Sequence, residues 1–175
     1  MKVQKIALLG VLLAATIVIA IAESFIPSFT IPGFKLGFAN IVILVTLYEL
    51  GIWEAIFINL VRVLVVALTR GTFLSMGFFM SLTGAFMSLG IMILLSKLIK
   101  KFSIVGVSVI GSLFHVTGQI LIAMVYMSSA YVVFYLPIIA LSATITGVIV
   151  GLTARAIIKT NVIKNQREKY HFYSS

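Results

Sequence analysis

Basic and amide side chains recur on one face of the third apolar segment, and their types suit anion binding. Asn59, Arg62, Val66 and Arg70 follow one another at three or four residues, so on a helix they lie on the same face. An arginine that faces lipid costs at least about 3 kcal/mol, which requires this face to point into the protein. A guanidinium in that position is suited to clamp a carboxylate or a phosphate through paired hydrogen bonds.

The fifth apolar segment carries a second polar face. His115 and Gln119 lie four residues apart on it, and either side chain alone fits a hydrogen bond to a neighbouring helix equally well. Together with Asn40, Asn59 and Arg62, they favour a site in which these side chains converge. The choice for His115 between a ligand contact and an interhelical hydrogen bond stays open.

The distribution of charge points to an anionic ligand. Lys35, Arg62 and Arg70 place three positive charges in the predicted outer half, where Glu23 supplies one negative charge. Unless Glu23 pairs with Arg62 and the other cations reach water, this buried excess requires a bound carboxylate or phosphate. The predicted substrate-binding residues are Lys35, Asn40, Asn59, Arg62, Arg70, His115 and Gln119.

The missing residue types exclude several kinds of chemistry. The 175 residues contain no Cys, which excludes disulfides and cysteine nucleophiles, and no Asp, which excludes an Asp-rich magnesium site. The chain also lacks a GxxxxGK[ST] motif for ATP, and no carboxylate pair or serine triad accompanies the cations. We predict that the chain is not an enzyme by itself, that it uses no metal or cofactor, and that a partner or a gradient supplies its energy.

Composition predicts an all-α integral membrane protein. Hydrophobic residues make up 62% of the chain, charged residues make up 10%, and the mean hydropathy is +1.24, whereas a soluble domain has about a quarter charged residues. A membrane-crossing helix needs about 20 apolar residues, so residues 1–158 form one domain with six such helices. The predicted helices are Ile6–Ile26, Lys35–Leu50, Ile52–Thr69, Phe73–Leu98, Ser103–Ser128 and Tyr131–Ile158.

Clusters of Lys and Arg predict the orientation. They precede the first helix, follow the fourth and follow the sixth, and an even number of helices places all three clusters on one side of the membrane. We therefore expect a multi-pass protein of the cell membrane with both termini in the cytoplasm. The basic tail, residues 159–175, is predicted to lie beside anionic lipid headgroups, and a nucleic-acid-binding role for it is disfavoured.

The segment Glu23–Asn40 between the first two helices is predicted to form a lid on the outer face. Its prolines, including Pro32, interrupt a helix, and its glycines, including Gly33, permit sharp bends. Phe29 and Phe34 are among the aromatic side chains that must pack on something. The alternative is a loop at the lipid interface, with the Phe rings as anchors.

Small residues recur along three of the predicted helices and permit close approach of helix backbones. In the fourth and sixth helices we expect them to pack neighbouring helices together; they are Gly77, Ser81, Ala85, Ala143, Gly147 and Gly151. In the first helix they have no evident partner within the chain, so Gly10 and Ala14 are candidates for docking a separate membrane subunit.

Three motifs resemble a known family. They are GFKLGFAN at residues 33–40, HVTGQ at residues 115–119 and YLP at residues 135–137. The chain resembles the Gx transporter family, which is often labelled heptaprenyl diphosphate synthase component I, over residues 5 to 157. One departure is Val116, which stands where the family pattern has Asn after the histidine.

This family is similar to the substrate-binding S components of energy-coupling factor transporters in its number of helices, its lid loop and its small-residue first helix. The resemblance implies an S-component-like bundle that takes up a small molecule and works with a transmembrane coupling subunit and ATPases supplied in trans. In S components an Ala-x-x-x-Ala pattern on the first helix meets the coupling subunit. Gly10-x-x-x-Ala14 is the nearest match here.

Three functions remain open from the residues. The first is a substrate-binding subunit of an uptake transporter for a small, anionic metabolite. The second is a non-catalytic accessory subunit in prenyl diphosphate or quinone metabolism, because the synthase label cannot mean catalysis in a chain without the Asp residues that hold magnesium. The third is a structural subunit of a membrane redox complex. The identity of the substrate and the oligomeric state do not follow from the sequence.

Overall fold

The computed structural model describes residues 2–25, 35, 37–98 and 102–160. Within these ranges the regular secondary structure is entirely helical, which confirms the all-α prediction. The helices are α1 (Lys2–Ser24), α2 (Asn40–Glu49), α3 (Ile52–Thr69), α4 (Met76–Leu98), α5 (Ile104–Met127), a 3-10 helix (Ala130–Tyr135) and α6 (Leu136–Lys159).

Five of the six described α-helices are long and apolar enough to cross a membrane, so the chain is a multi-pass membrane protein. The exception is α2, for which the sequence predicted a longer helix beginning at Lys35. With 10 residues, α2 extends about 15 Å, roughly half of the hydrocarbon thickness of a bilayer. Residues 42–47 are all buried, so α2 lies inside the bundle and not against lipid.

A tight turn separates the second helix from the third. Gly51 separates α2 from α3 with a φ of 125°, a conformation that side chains with a Cβ rarely adopt. At the start of α5 a side chain caps the helix: Ser103 accepts a hydrogen bond of 3.0 Å from the Gly106 amide. These local signals set the ends of the helices.

Glycines allow close packing in the half of the bundle formed by α4, α5 and α6, which pack side by side. A Cβ on Gly118 of α5 would lie 2.9 Å from Gly84 Cα of α4, and a Cβ on Gly147 of α6 would lie 2.8 Å from Val109 Cα of α5. The small residues of α6 therefore pack helices together, as predicted. In the other half of the bundle, α1 packs on α3, and α2 packs against α3 and α6.

The bundle has two distinct ends. At the end that we call the loop end, α1 finishes and α2 begins, and α3 finishes and α4 begins. At the opposite end, the Lys5 ammonium forms an ion pair with Glu54, which joins α1 to α3. The cytoplasmic placement of the termini stays a prediction, and residues 161–175 of the predicted tail lie outside the described residues.

Candidate functional site

A small cavity of about 30 Å³ lies at the loop end of the bundle. It is bounded by the last turns of α1 and α3, the start of α4, the middle of α5 and the residues just before α2. Its described lining consists of Ala20, Glu23, Lys35, Gly37, Ala39, Arg62, Val63, Val66, Ser81 and His115. The cavity therefore brings together charged groups from three parts of the chain that are far apart in sequence.

Glu23, at the end of α1, holds the chain that leads into α2. Its carboxylate is buried and accepts a hydrogen bond from the backbone amide of Gly37, and the Phe38 amide also contributes. Gly37 has a φ of 90°, and a Cβ there would lie 3.2 Å from the Asn40 amide nitrogen. Glycine is therefore needed at this position for both its backbone conformation and its small size.

Arg62 is buried beside the cavity and is positioned by Asn59. The Arg62 Nη2 donates to Asn59 Oδ1 at 2.7 Å, and the Asn59 amide nitrogen donates to the Ala85 carbonyl of α4 at 3.1 Å. Asn59 thus orients the guanidinium and does not line the cavity itself. Among the described residues, Arg62 makes only this hydrogen bond, so most of its N–H donors remain available.

Gln119 has a structural partner. Its side-chain oxygen accepts from the Lys35 amide at 3.2 Å, and its side-chain nitrogen donates to the Lys35 carbonyl at 3.1 Å. Because Gln119 is fully buried, this pair of hydrogen bonds attaches the chain before α2 firmly to α5. The amide of Gln119 is occupied by the backbone and is not among the lining groups.

His115 lines the cavity and lies against the backbone of Gly84 in α4. It is buried, and neither ring nitrogen forms a hydrogen bond of good geometry with a described residue. The edge of the ring that contains Nε2 lies beside Gly37, where a Cβ would be 3.7 Å from Nε2. A buried imidazole normally satisfies both nitrogens, so this side chain has hydrogen-bonding capacity for a ligand or for water. The ring does interact with the backbone of Gly84 in α4, so the choice between a ligand contact and an interhelical hydrogen bond stays open.

Three charged side chains determine the electrostatics of the cavity: Lys35 and Arg62 are cations, and Glu23 is an anion. Glu23 lies near enough to Arg62 and Lys35 to attract both, but no ion pair within 4 Å joins these described residues. Burial lowers the pKa of the Lys35 ammonium, and the attraction of Glu23 acts in the opposite direction. With His115 neutral, the lining carries a net charge of +1 from Lys35, Arg62 and Glu23.

Besides Asn59 and Gln119, two further predicted substrate-binding residues lie outside the cavity. Asn40 is buried and its amide nitrogen donates to the Ser88 hydroxyl at 3.4 Å, so it links α2 to α4. Arg70 follows the last residue of α3 and is exposed, with its guanidinium 4.7 Å from the centre of the Phe25 ring. The predicted charge excess of about two, which counted Arg70, is therefore one at the cavity.

The other predicted functional residues divide into two groups. The lid residues Phe29, Pro32, Gly33 and Phe34 lie outside the described residues. Gly10 and Ala14 are exposed on α1, and nothing lies within 4 Å of a Cβ built on Gly10. The small-residue face of α1 is therefore uncovered within the part of the chain that the structure describes.

Sequence reasoning missed three lining residues. Glu23 was counted only as a counter-charge, although its place between α1 and the loop is a signal that it could anchor that loop. Gly37 belongs to a glycine-rich run whose required backbone conformation is visible only in the structure. Ser81 was interpreted as a packing residue, and its hydroxyl donates to the Gly77 carbonyl at 2.8 Å within α4.

The comparisons with known proteins give one match. No curated protein and no solved structure matches the chain. The model of one protein family, described as heptaprenyl diphosphate synthase component I, matches residues 12–157, which include every helix that forms the cavity. The match confirms the resemblance found in the motifs and covers most of the sequence. The chain belongs to the heptaprenyl diphosphate synthase component I family.

Proposed function

We propose that this protein is the membrane-embedded substrate-binding subunit of an uptake transporter of the energy-coupling factor type, and that it captures a small anionic metabolite at the cell membrane. The observation that carries the proposal is the cavity at the loop end. There the buried guanidinium of Arg62 has N–H donors that the described residues do not use, and His115 lies on the same lining.

The arrangement suits binding better than catalysis. Glu23 is engaged by the Gly37 amide and Gln119 is engaged by the backbone of Lys35, so these two polar groups hold residues 35 and 37 in place. The remaining polar lining is suited to stabilise a bound negative charge. Since the sequence has no ATP-binding motif, the energy for uptake comes from partner proteins.

The face of α1 that bears Gly10 and Ala14 supports the proposal that the protein works with a partner subunit. It is exposed, smooth and apolar, and it belongs to the least buried of the five long helices. Small residues let a second membrane helix approach closely. We propose that the transmembrane coupling subunit docks on this face and that the ATPases act through that subunit.

The family description favours a second candidate. It names a component of heptaprenyl diphosphate synthase, which is consistent with a non-catalytic membrane subunit that presents a prenyl diphosphate to a soluble catalytic partner. A purely structural subunit is less well supported, because a structural cluster of charges would be closed on itself and this one surrounds a cavity.

Affinity purification of the tagged chain from its native membrane in mild detergent tests the proposal. We expect a coupling subunit and ATPases to co-purify, and we expect mass spectrometry of the extract to find a retained small anion. Recovery of a prenyl synthase or a redox complex in place of the coupling subunit and ATPases would contradict the transporter function. A parallel purification with Arg62→Gln identifies the retained molecules that depend on the cavity.

A further inference from the structure

The charge of the cavity limits the ligands that it can hold. Lys35 and Arg62 contribute two positive charges to the lining, and Glu23 contributes one negative charge. Arg70 is outside, and its guanidinium is placed over Phe25. Backbone amides and two nearby cations attract the negative charge of Glu23, whereas its burial opposes that charge. Counted as formal charges, with Glu23 ionised and Lys35 protonated, the lining has one positive charge without compensation.

From this balance we propose that the ligand is a monoanion that presents a single carboxylate group to the cavity. The inference rests on the proposed function and adds the class of substrate. A carboxylate makes the buried site neutral. A phosphate monoester or a diphosphate would leave one or more negative charges in excess in a site of low dielectric, which is unfavourable.

The hydrogen-bonding groups fit a carboxylate. Arg62 has parallel N–H donors, which match the two oxygens of a carboxylate. The neutral imidazole of His115 offers one donor and one acceptor, and the backbone of Gly84 interacts with the ring, which leaves one of the two nitrogens for a ligand. The Lys35 ammonium lies on the same lining and adds a third cationic or polar donor.

The volume of the cavity and its apolar lining limit how much of the ligand it can enclose. The cavity of about 30 Å³ is far smaller than the several hundred Å³ of typical small-molecule sites, so it encloses a headgroup and not a whole metabolite. Next to the charged groups, the lining consists of apolar side chains from α1, α3 and the residue before α2; these are Ala20, Ala39, Val63 and Val66. These apolar side chains therefore enclose the headgroup together with the charged groups.

The test uses three probes that share one aromatic body. Benzoate is a monoanion, phenyl phosphate is mostly a dianion at pH 7.5, and benzamide is neutral. Titration calorimetry on the full chain in lipid nanodiscs, with empty nanodiscs as the blank, measures the affinity for each probe. We expect benzoate to bind at least about tenfold more tightly than phenyl phosphate or benzamide.

Glu23→Gln provides the sharper test, because it removes the negative charge and keeps an oxygen that can accept from the Gly37 amide. We expect this variant to reverse the preference toward phenyl phosphate, since the lining then carries two uncompensated positive charges. The matched control is Glu54→Gln, the same chemical change at the Lys5 ion pair, where the preference stays with benzoate.

The outcomes separate this inference from the proposed function. Tighter binding of phenyl phosphate by the unmodified protein, or an unchanged preference in Glu23→Gln, would overturn the monoanion inference while leaving an anion-binding subunit in place. Absence of binding by both anions would contradict the proposed function as well. A preference for benzoate that persists in Arg62→Gln would show that binding occurs elsewhere, and it would overturn the inference too.

Discussion

The side-chain amide of Gln119 forms two hydrogen bonds with the backbone of Lys35, at 3.2 Å to the amide and 3.1 Å to the carbonyl. Gln119 lies in the middle of α5, whereas Lys35 belongs to the chain before α2. The pair fixes the position of a cavity-lining residue through its backbone and leaves the ammonium of that residue available. Gln119 thus contributes to the site by holding the backbone of Lys35, and its own side chain does not line the cavity.

Loss of this attachment should loosen the chain that precedes α2. Gln119→Leu removes both hydrogen bonds from a buried position and leaves the Lys35 peptide unsatisfied, which costs about 1–3 kcal/mol. We expect faster hydrogen exchange around residues 35–39 and weaker retention of the ligand. Thr117→Val, which removes a hydroxyl bond of 2.8 Å within α5 itself, is the control and should leave this exchange unchanged.

Gly37→Ala should impair the site because it strains the backbone at residue 37. The φ of 90° strains any residue with a Cβ by about 1–3 kcal/mol, and the added atom would also contact the Asn40 amide nitrogen at 3.2 Å. We expect a lower thermal unfolding temperature and reduced anion binding. Gly90→Ala is the matched control, because this helical glycine has no neighbour within 4 Å, and the variant should be as stable as the unmodified protein or slightly more stable. Equal stability of the two variants would contradict the assigned backbone conformation.

Gly118→Leu should separate α4 from α5. The backbones approach so closely that even a Cβ would lie 2.9 Å from Gly84 Cα, so the helices must move apart. Overpacking of this kind costs about 1–3 kcal/mol or more. Fluorescence-detected size exclusion after heating should show earlier loss of the folded protein. Gly90→Leu, on an open face of α4, should have little effect.

Ligand binding and partner assembly should respond to different substitutions. We expect Arg62→Gln to reduce anion binding at least about tenfold and to leave co-purification of the coupling subunit intact, because Arg62 is buried at the cavity. Gly10→Leu should do the reverse, because it adds bulk to the exposed face of α1. Arg155→Gln, at an exposed position of α6, controls for loss of a positive charge. If Arg62→Gln retained ligand as the unmodified protein does, the assigned site would be wrong.

Binding of a monoanion should weaken as the pH rises. Burial lowers the pKa of the Lys35 ammonium, so this group loses its charge at a lower pH than an ordinary lysine. Since the charged form attracts the ligand, affinity should fall as the pH rises through that lowered pKa. Lys35→Arg should remove the decline, because a guanidinium stays charged. Titrations with benzoate at several alkaline pH values measure this, and an identical decline in both proteins would exclude Lys35 as the cause.

Part of the fold follows directly from the sequence. Long apolar segments predict membrane-crossing helices, because a bilayer leaves the backbone few other ways to satisfy its hydrogen bonds. Helical periodicity also predicted that Arg62 and His115 point inward, and both are buried at one cavity. The length of α2 was less well predicted. Apolar composition alone cannot tell a helix that crosses a bilayer from a short one that is buried by its neighbours.

The sequence by itself determined the helical membrane class, the polar faces and the excess of positive charge at the loop end. Only the tertiary structure decided which polar groups are free. Gln119 is occupied by a backbone 84 residues away, Arg70 lies beyond the end of α3, and His115 lies against the backbone of Gly84. The physical reason is that spacing along a helix fixes a direction, whereas hydrogen-bond partners and depth depend on how distant segments pack.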